Sequence, residues 1–179
     1  MLHRQNTVLL VVDVQGKLAD LMQGRDAMLA NLGKCIRGAQ VLDIPILWAE
    51  QNPERMGPTV PEIAGLLEAY RPISKLSFSC CRHPPLMQAL RELQRRQVLL
   101  AGIEAHICIY QTAADLLAEG FETHVVVDAV ASRKAENHHL ALRKLQALGA
   151  QLTGTEMALF EMLGVAEGEC FKQILRIIK

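Results

Sequence analysis

Val98-Leu-Leu-Ala-Gly-Ile-Glu-Ala-His-Ile-Cys-Ile-Tyr-Gln-Thr112 is the stretch on which the fold turns. Gln97 to Ala101 read as a strand buried on both faces, and Gly102 ends it. Apolar residues return at Ile109, Ala113, Leu116 and Leu117, which is helical spacing. Cys108 therefore stands in the first turn of a helix that follows the carboxyl end of a strand. Unpaired backbone N–H groups and the positive end of the peptide dipoles favour thiolate over thiol there. Free cysteine otherwise fills space in cores, so position alone makes Cys108 only a candidate nucleophile.

The same alternation extends outward in both directions. Thr7 to Val12 is a continuous apolar run ending at Asp13, as expected of a central parallel strand with a carboxylate at its tip; a helix-capping role for Asp13 fits this stretch equally. Asp26 to Leu42 is an amphipathic helix with Asp26 as its cap, and Ile44 to Ala49 a second strand. In the segment from Glu50 to Pro61, Pro53, Gly57, Pro58 and Pro61 exclude a helix and predict a long loop carrying function or oligomer contacts. A short helix over Pro61 to Ala69 leads to a third strand, Arg71 to Leu76, which delivers Lys75 near its end.

A helix over Pro84 to Arg95 precedes the Cys108 stretch, and Gly120 closes the helix after it. Glu122 to Val127 is the fifth strand and ends at Asp128. A helix over Glu136 to Leu148, a short strand over Ala150 to Thr153, and two helices between Thr155 and Lys179, broken near Gly168, complete the chain. This order predicts an α/β fold of three layers, α/β/α, around a six-stranded, mainly parallel sheet in the Rossmann-like order 3-2-1-4-5-6. Sites in such sheets form outside the carboxyl ends of the strands, where Asp13, Lys75 and Cys108 all fall.

Composition narrows the function. With 179 residues and no repeat or low-complexity stretch, the chain reads as one domain, residues 1–179. Nineteen basic residues balance nineteen acidic ones, so nothing draws the surface to nucleic acid or to an anionic membrane. No apolar run reaches the length of a membrane span, and Met1-Leu-His-Arg-Gln-Asn leads into a strand without a signal-peptide pattern, so a soluble, cytoplasmic protein is expected. Five cysteines without a Cys-x-x-Cys pair fit reduced thiols in such a compartment.

Cofactor signatures are also missing. No Gly-x-Gly-x-x-Gly follows the first strand, there is no phosphate loop, and no Gly-x-Ser-x-Gly elbow occurs. Cys80, Cys81, His83, His138 and His139 have no recognised zinc spacing, so no cofactor and no metal site is expected. An Asp, a Lys and a Cys at strand tips nevertheless form a coherent set. The carboxylate takes the thiol proton, the ammonium supports negative charge, and N–H groups at the helix start hold an oxyanion. That set suits attack on an sp² carbon followed by loss of ammonia or an amine.

Five motifs in order carry a family resemblance: Val11-Val-Asp-Val-Gln15, Lys75-Leu-Ser-Phe-Ser79, Gly102-Ile-Glu-Ala-His-Ile-Cys-Ile109, Gln111-Thr-Ala113 and Val126-Val-Asp-Ala-Val-Ala-Ser-Arg133. Over nearly its whole length the chain resembles the isochorismatase-like hydrolases of the cysteine hydrolase superfamily. It is most similar to the isochorismatase domain-containing proteins of undefined substrate, which share the Glu-Gln-x-Pro loop at 50 to 53, a segment like Gly57-Pro-Thr-Val-Pro61, and Phe171-Lys-x-Ile174. The resemblance implies an Asp13, Lys75, Cys108 catalytic triad, an oxyanion hole from the N–H groups of Glu104 and Cys108, and a cis peptide at Ile103–Glu104. A non-proline cis bond costs about 3 kcal/mol and persists only where its surroundings enforce it. Gln15, Trp48, Gln51 and Phe78 become candidate pocket residues, and a homo-oligomer is expected from relatives that are dimers or larger.

Departures from the family pattern bear on the substrate. Nicotinamidases place an Asp-x-His metal site after the second strand, where this chain has Ala49-Glu-Gln-Asn52. Isochorismatases proper lack the nucleophilic cysteine, and many relatives have Thr where Ala105 stands. The expectation is a metal-independent cysteine hydrolase cleaving a small amide or related C–N bond through a thioester-like intermediate. Arg55, Arg82 and Arg133 are each candidates to bind a substrate carboxylate. A thiol redox protein using Cys108 and a non-catalytic oligomeric scaffold are the alternatives.

Overall fold

The structure is a computed structural model describing residues 1–179. Its centre is a six-stranded, wholly parallel sheet: β1 (Thr7–Val12), β2 (Ile46–Gln51), β3 (Ile73–Lys75), β4 (Gln97–Ile103), β5 (Glu122–Ala131) and β6 (Gln151–Thr153). The order is β3-β2-β1-β4-β5-β6, as the alternation of strands and helices predicts. The direction of winding reverses at the β1/β4 boundary, the place where a crevice opens at the carboxyl ends in such sheets.

Period-two alternation along each strand divides the core. On one face Leu9, Val11, Leu99, Ala101 and Val126 pack with α2 (Arg25–Val41), α8 (Thr155–Leu163) and α9 (Gly168–Ile178), together with the shorter α1 (Gly16–Asp20) and α4 (Pro61–Ala64). On the other face Val8, Leu10, Val12, Val98, Leu100 and Val125 pack against α5 (Pro84–Glu92), α6 (Tyr110–Ala118) and α7 (Ala135–Ala147). Both β1 and β4 are buried along their whole length, which explains their uninterrupted aliphatic sequence. Each such Leu, Ile or Val contributes about 1.5–3 kcal/mol relative to exposure.

Three local expectations need correction. Gly102 does not end β4; it is paired with Val12 inside the sheet, and the strand continues to Ile103. At Gly102, φ is +121°, and a Cβ would lie 2.1 Å from the Val12 carbonyl oxygen, so the glycine allows the tips of β1 and β4 to lie together. The proline-rich segment is not wholly irregular, since Pro53–Met56 forms one helical turn, α3, with proline at the start where its missing N–H costs nothing. Asp26 does not cap α2; Gly24 holds that position and Asp26 pairs with Arg25.

Candidate functional site

Asp13 follows the last residue of β1 with φ +56°, a left-handed conformation that aspartate tolerates better than most residues. The turn is held by Asp13 N–H donating to the Ala49 carbonyl at 3.1 Å and by Gln15 N–H donating to the Asp13 carbonyl at 2.8 Å. Lys75 ends β3, two strands away, and is only 1% exposed. Its ammonium donates to Asp13 Oδ2 at 2.6 Å, Gln51 Oε1 at 2.9 Å, the Ser77 carbonyl at 3.0 Å and the Phe78 carbonyl at 3.2 Å. A buried ammonium is tolerated because a carboxylate and three dipoles surround it.

Cys108 lies near Asp13, in the lining of the same cavity. After β4 the chain makes one wide, π-helical turn, Ala105–Ile109, in which Ile109 N–H reaches back to the Glu104 carbonyl at 3.2 Å. His106 Nδ1 lies 2.9 Å from Ser132 Oγ, and Asn137 contacts its Nε2 at 3.3 Å, which ties the turn to the end of β5 and the start of α7. The Ile103–Glu104 peptide is cis. Glu104 N–H donates to no group of the chain, while its carboxylate accepts from Arg133 N–H at 3.0 Å and Nε at 3.1 Å.

Electrostatics qualify the expectation of a resting thiolate. Burial and the neighbouring Asp13 carboxylate push the Cys108 thiol well above its usual range, and Lys75 opposes them only in part. The ammonium lies against Asp13, so little of its charge is available to the sulfur at rest. Burial likewise raises Asp13 above the ordinary carboxylate value against the pull of Lys75 and of the neighbouring Cys108 thiol. Oδ1 of Asp13 is buried and has no hydrogen-bond partner within the chain. The resting site is thus a neutral thiol beside a carboxylate whose proton affinity is enhanced. Cys35, Cys80 and Cys81 are also raised by burial, each to about 12.

Asp13 and Cys108 border a cavity of about 240 Å³. Leu18, Met56, Phe78, Ile103 and Ile107 supply its apolar lining, and Gln51, Asn52, Arg55 and Glu104 the rest of its polar rim. Phe78 is 55% exposed at the mouth. Gln15 is fully buried behind the wall, where its side chain accepts from Gln51 N–H and donates to the Gln51 and Gly57 carbonyls. Trp48 is not in the pocket: it belongs to the core, with its indole N–H donating to Thr59 Oγ1 at 2.8 Å. A lone tryptophan on a strand gives no sequence signal of which face it occupies unless the register is known.

Of the three arginines, only Arg55 borders the cavity; Arg82 pairs with Asp115 and Arg133 with Glu104. Sequence reasoning missed Leu18, Asn52, Met56 and Ile107, because the segments that follow β1, β2 and β4 meet only in the fold. Where a metal site would follow β2, Glu50 instead accepts from Thr59 N–H and Oγ1, and Gln51 holds Lys75. No helix is long and apolar enough to cross a membrane.

Comparison with known proteins agrees with this fold. Isochorismatase domain-containing protein 2 of Rattus norvegicus is 37% identical over 176 residues, covering 98% of this chain and 82% of the relative. The structure of MAR1 ribonuclease from Caenorhabditis elegans superposes with a TM-score of 0.93 at 35% identity, covering 99% of this chain and 91% of that one. The Escherichia coli YcaC gene product, an octameric hydrolase of unknown specificity, shares the fold with a TM-score of 0.93 at 20% identity, over 99% of this chain and 88% of that one. Because the isochorismatase domain model matches residues 7–157, most of the chain and all six strands, the protein belongs to the isochorismatase domain family, a membership that supports a hydrolase.

Proposed function

We propose that this protein is a metal-independent cysteine hydrolase that cleaves a small amide or related C–N bond with Asp13, Lys75 and Cys108. The observation that carries the reading is the buried Lys75–Asp13 pair at 2.6 Å, with Asp13 and the neighbouring Cys108 thiol bordering one pocket. The side chains after β2 that could have held a metal are engaged by Thr59 and Lys75.

As the sulfur attacks the carbonyl carbon, its proton passes to Asp13 and the C–O electrons move onto oxygen. In this reading the N–H groups of Glu104 and Cys108 receive that oxyanion. Collapse breaks the C–N bond, with the Asp13 proton leaving on the amine. Asp13 then takes a proton from water, whose oxygen attacks the thioester; the acid departs and the sulfur recovers a proton. Lys75 stays charged throughout and faces whichever neighbour is negative.

The cavity volume lies below the common range of about 300–1,000 Å³ for ligand sites, which favours a small substrate. The name of the C. elegans relative raises RNA cleavage as a second reading. Balanced charge and a narrow, largely apolar pocket offer little to a polyanion. A homo-oligomer is part of the proposal, in line with the octameric state of YcaC, and light scattering measures it.

Intact-mass analysis of wild type and Cys108→Ala after exposure to a panel of small amides, with an RNA oligonucleotide alongside, tests the whole reading. An acyl adduct on wild type alone supports it. Adducts on both proteins or on neither, or RNA cleavage retained by Cys108→Ala, count against it.

A further inference from the structure

Three ionisable side chains border the cavity besides the thiol: Asp13, Glu104 and Arg55. Two are neutralised within the protein, Asp13 by Lys75 and Glu104 by Arg133. Arg55 forms no ion pair with any acidic group of the chain. The lining therefore carries one uncompensated positive charge, on the wall formed by α3.

That wall is fixed in place. Arg55 N–H and Met56 N–H both donate to the Asn52 carbonyl at 2.9 Å, which closes the turn. Gln15 bonds to both ends of the segment, at Gln51 and Gly57. Glu50 anchors Thr59, and Gly16 N–H donates to the Pro58 carbonyl at 3.1 Å. Gly16 lies so close beneath the turn that a Cβ would be 2.2 Å from the Met56 carbonyl oxygen. A guanidinium on a held backbone loses less freedom on binding than one on a mobile loop.

We propose that Arg55 is a specificity-determining residue and that the substrate is a small amide bearing a carboxylate at the end remote from the scissile bond. This rests on the hydrolase reading of the same pocket. The amide carbon lies at Cys108, the apolar middle of the molecule against Met56, Phe78 and Ile107, and the carboxylate on the guanidinium. The planar fork of arginine matches two carboxylate oxygens at once.

The test uses N-iodoacetyl amino acids of increasing chain length and their neutral methylamides. Cys108 sulfur displaces iodide, forming an S–C bond and releasing a proton, so the probe requires no hydrolysis. Labelling rates are followed by intact mass, with Cys108→Ala as the blank. In wild type the anionic reagents are favoured at the best length, and in Arg55→Gln the ratio of anionic to neutral rates falls roughly tenfold. Arg55→Lys restores part of it, and added salt erodes it. An unchanged ratio in Arg55→Gln, or failure of every reagent to reach Cys108, overturns the proposal. Arg55-dependent labelling without turnover of any amide sinks the hydrolase reading and, with it, the amide as substrate, leaving Arg55 as the carboxylate-selecting residue of the pocket; turnover without charge preference leaves the hydrolase reading standing and removes this one.

Discussion

Replacing Lys75 by Met keeps the length of the buried stem and deletes the ammonium. The change leaves Asp13, with a side chain only 4% exposed, without its counter-charge, and three acceptors lose their shared donor. Breaking a buried pair from one side costs about 3–5 kcal/mol. At a urea m-value of about 3 kcal/mol/M this lowers the unfolding midpoint by about 1 to 1.7 M. The penalty depends on pH because Asp13 can escape it by taking a proton. Burial raises its folded pKa above the ordinary 3.8, and without Lys75 the rise is larger. A raised carboxyl contributes stability that is complete below the unfolded value and is lost as pH climbs through the folded one. Lys75→Met is therefore closest to wild type near pH 4, loses ground as pH rises, and levels off above the folded pKa of Asp13. Adding Asp13→Asn removes the pH-dependent part. Urea titrations at pH 4.5 and 7.5 read this directly. A single variant within 1 kcal/mol of wild type, or a deficit equal at both pH values, refutes the inference that the two charges hold each other in the core.

The same electrostatics predict opposite effects of Asp13→Asn on reactivity and turnover. The carboxylate raises the thiol, so its removal leaves Lys75 to favour thiolate, and iodoacetamide alkylation of Cys108 at pH 7.5 accelerates by about tenfold for each unit of pKa recovered, while amide hydrolysis is lost; slower alkylation contradicts the assignment. In wild type that alkylation rate keeps rising with pH beyond 9, since the thiol stays protonated through neutrality. Gln15→Ala strands three backbone groups of the pocket wall and costs about 1–3 kcal/mol, with a raised KM despite no direct contact with the cavity; an unaltered KM argues against a held wall. Trp48→Phe removes one buried hydrogen bond to Thr59 and costs about 1 kcal/mol, with turnover per folded molecule retained, and a loss of turnover alone returns Trp48 to the pocket.

Element type and order were legible because each strand is a short apolar run and each helix has its own period, as Thr7–Val12 and Pro84–Glu92 illustrate. Boundaries were less so. Gly102 looks like a terminator, yet it lies inside the sheet because the backbone of Val12 comes so near. The convergence of Asp13, Lys75 and Cys108 was accessible from topology, since residues at strand tips share an edge whatever their separation in sequence. The protonation state of Cys108 was not. A helix start argues for thiolate, but that influence is small beside burial and a carboxylate in contact, and neither can be seen before the chain is folded. Trp48 and Gln15 show the same limit, because whether a residue at a strand tip faces ligand or core depends on register and on a loop closing over it.

Sealing Lys75 in the protein would be a poor way to gain stability, since an apolar residue of similar volume fills such a site at less cost. Its position makes sense as a fixed positive charge for a negative charge that moves. At rest the negative charge is on Asp13, 2.6 Å away; in the proposed mechanism the proton crosses and that charge passes to sulfur, with the carboxyl neutral. Net charge in the buried region is the same before and after, so the transfer needs no solvent to reorganise around a new ion. The raised thiol pKa is offset in part, because the base beside it is raised as well and the proton moves between two groups displaced in the same direction. A thiolate standing beside an ionised Asp13 would set two negative charges against one ammonium, and no acid would remain to deliver a proton to the departing amine.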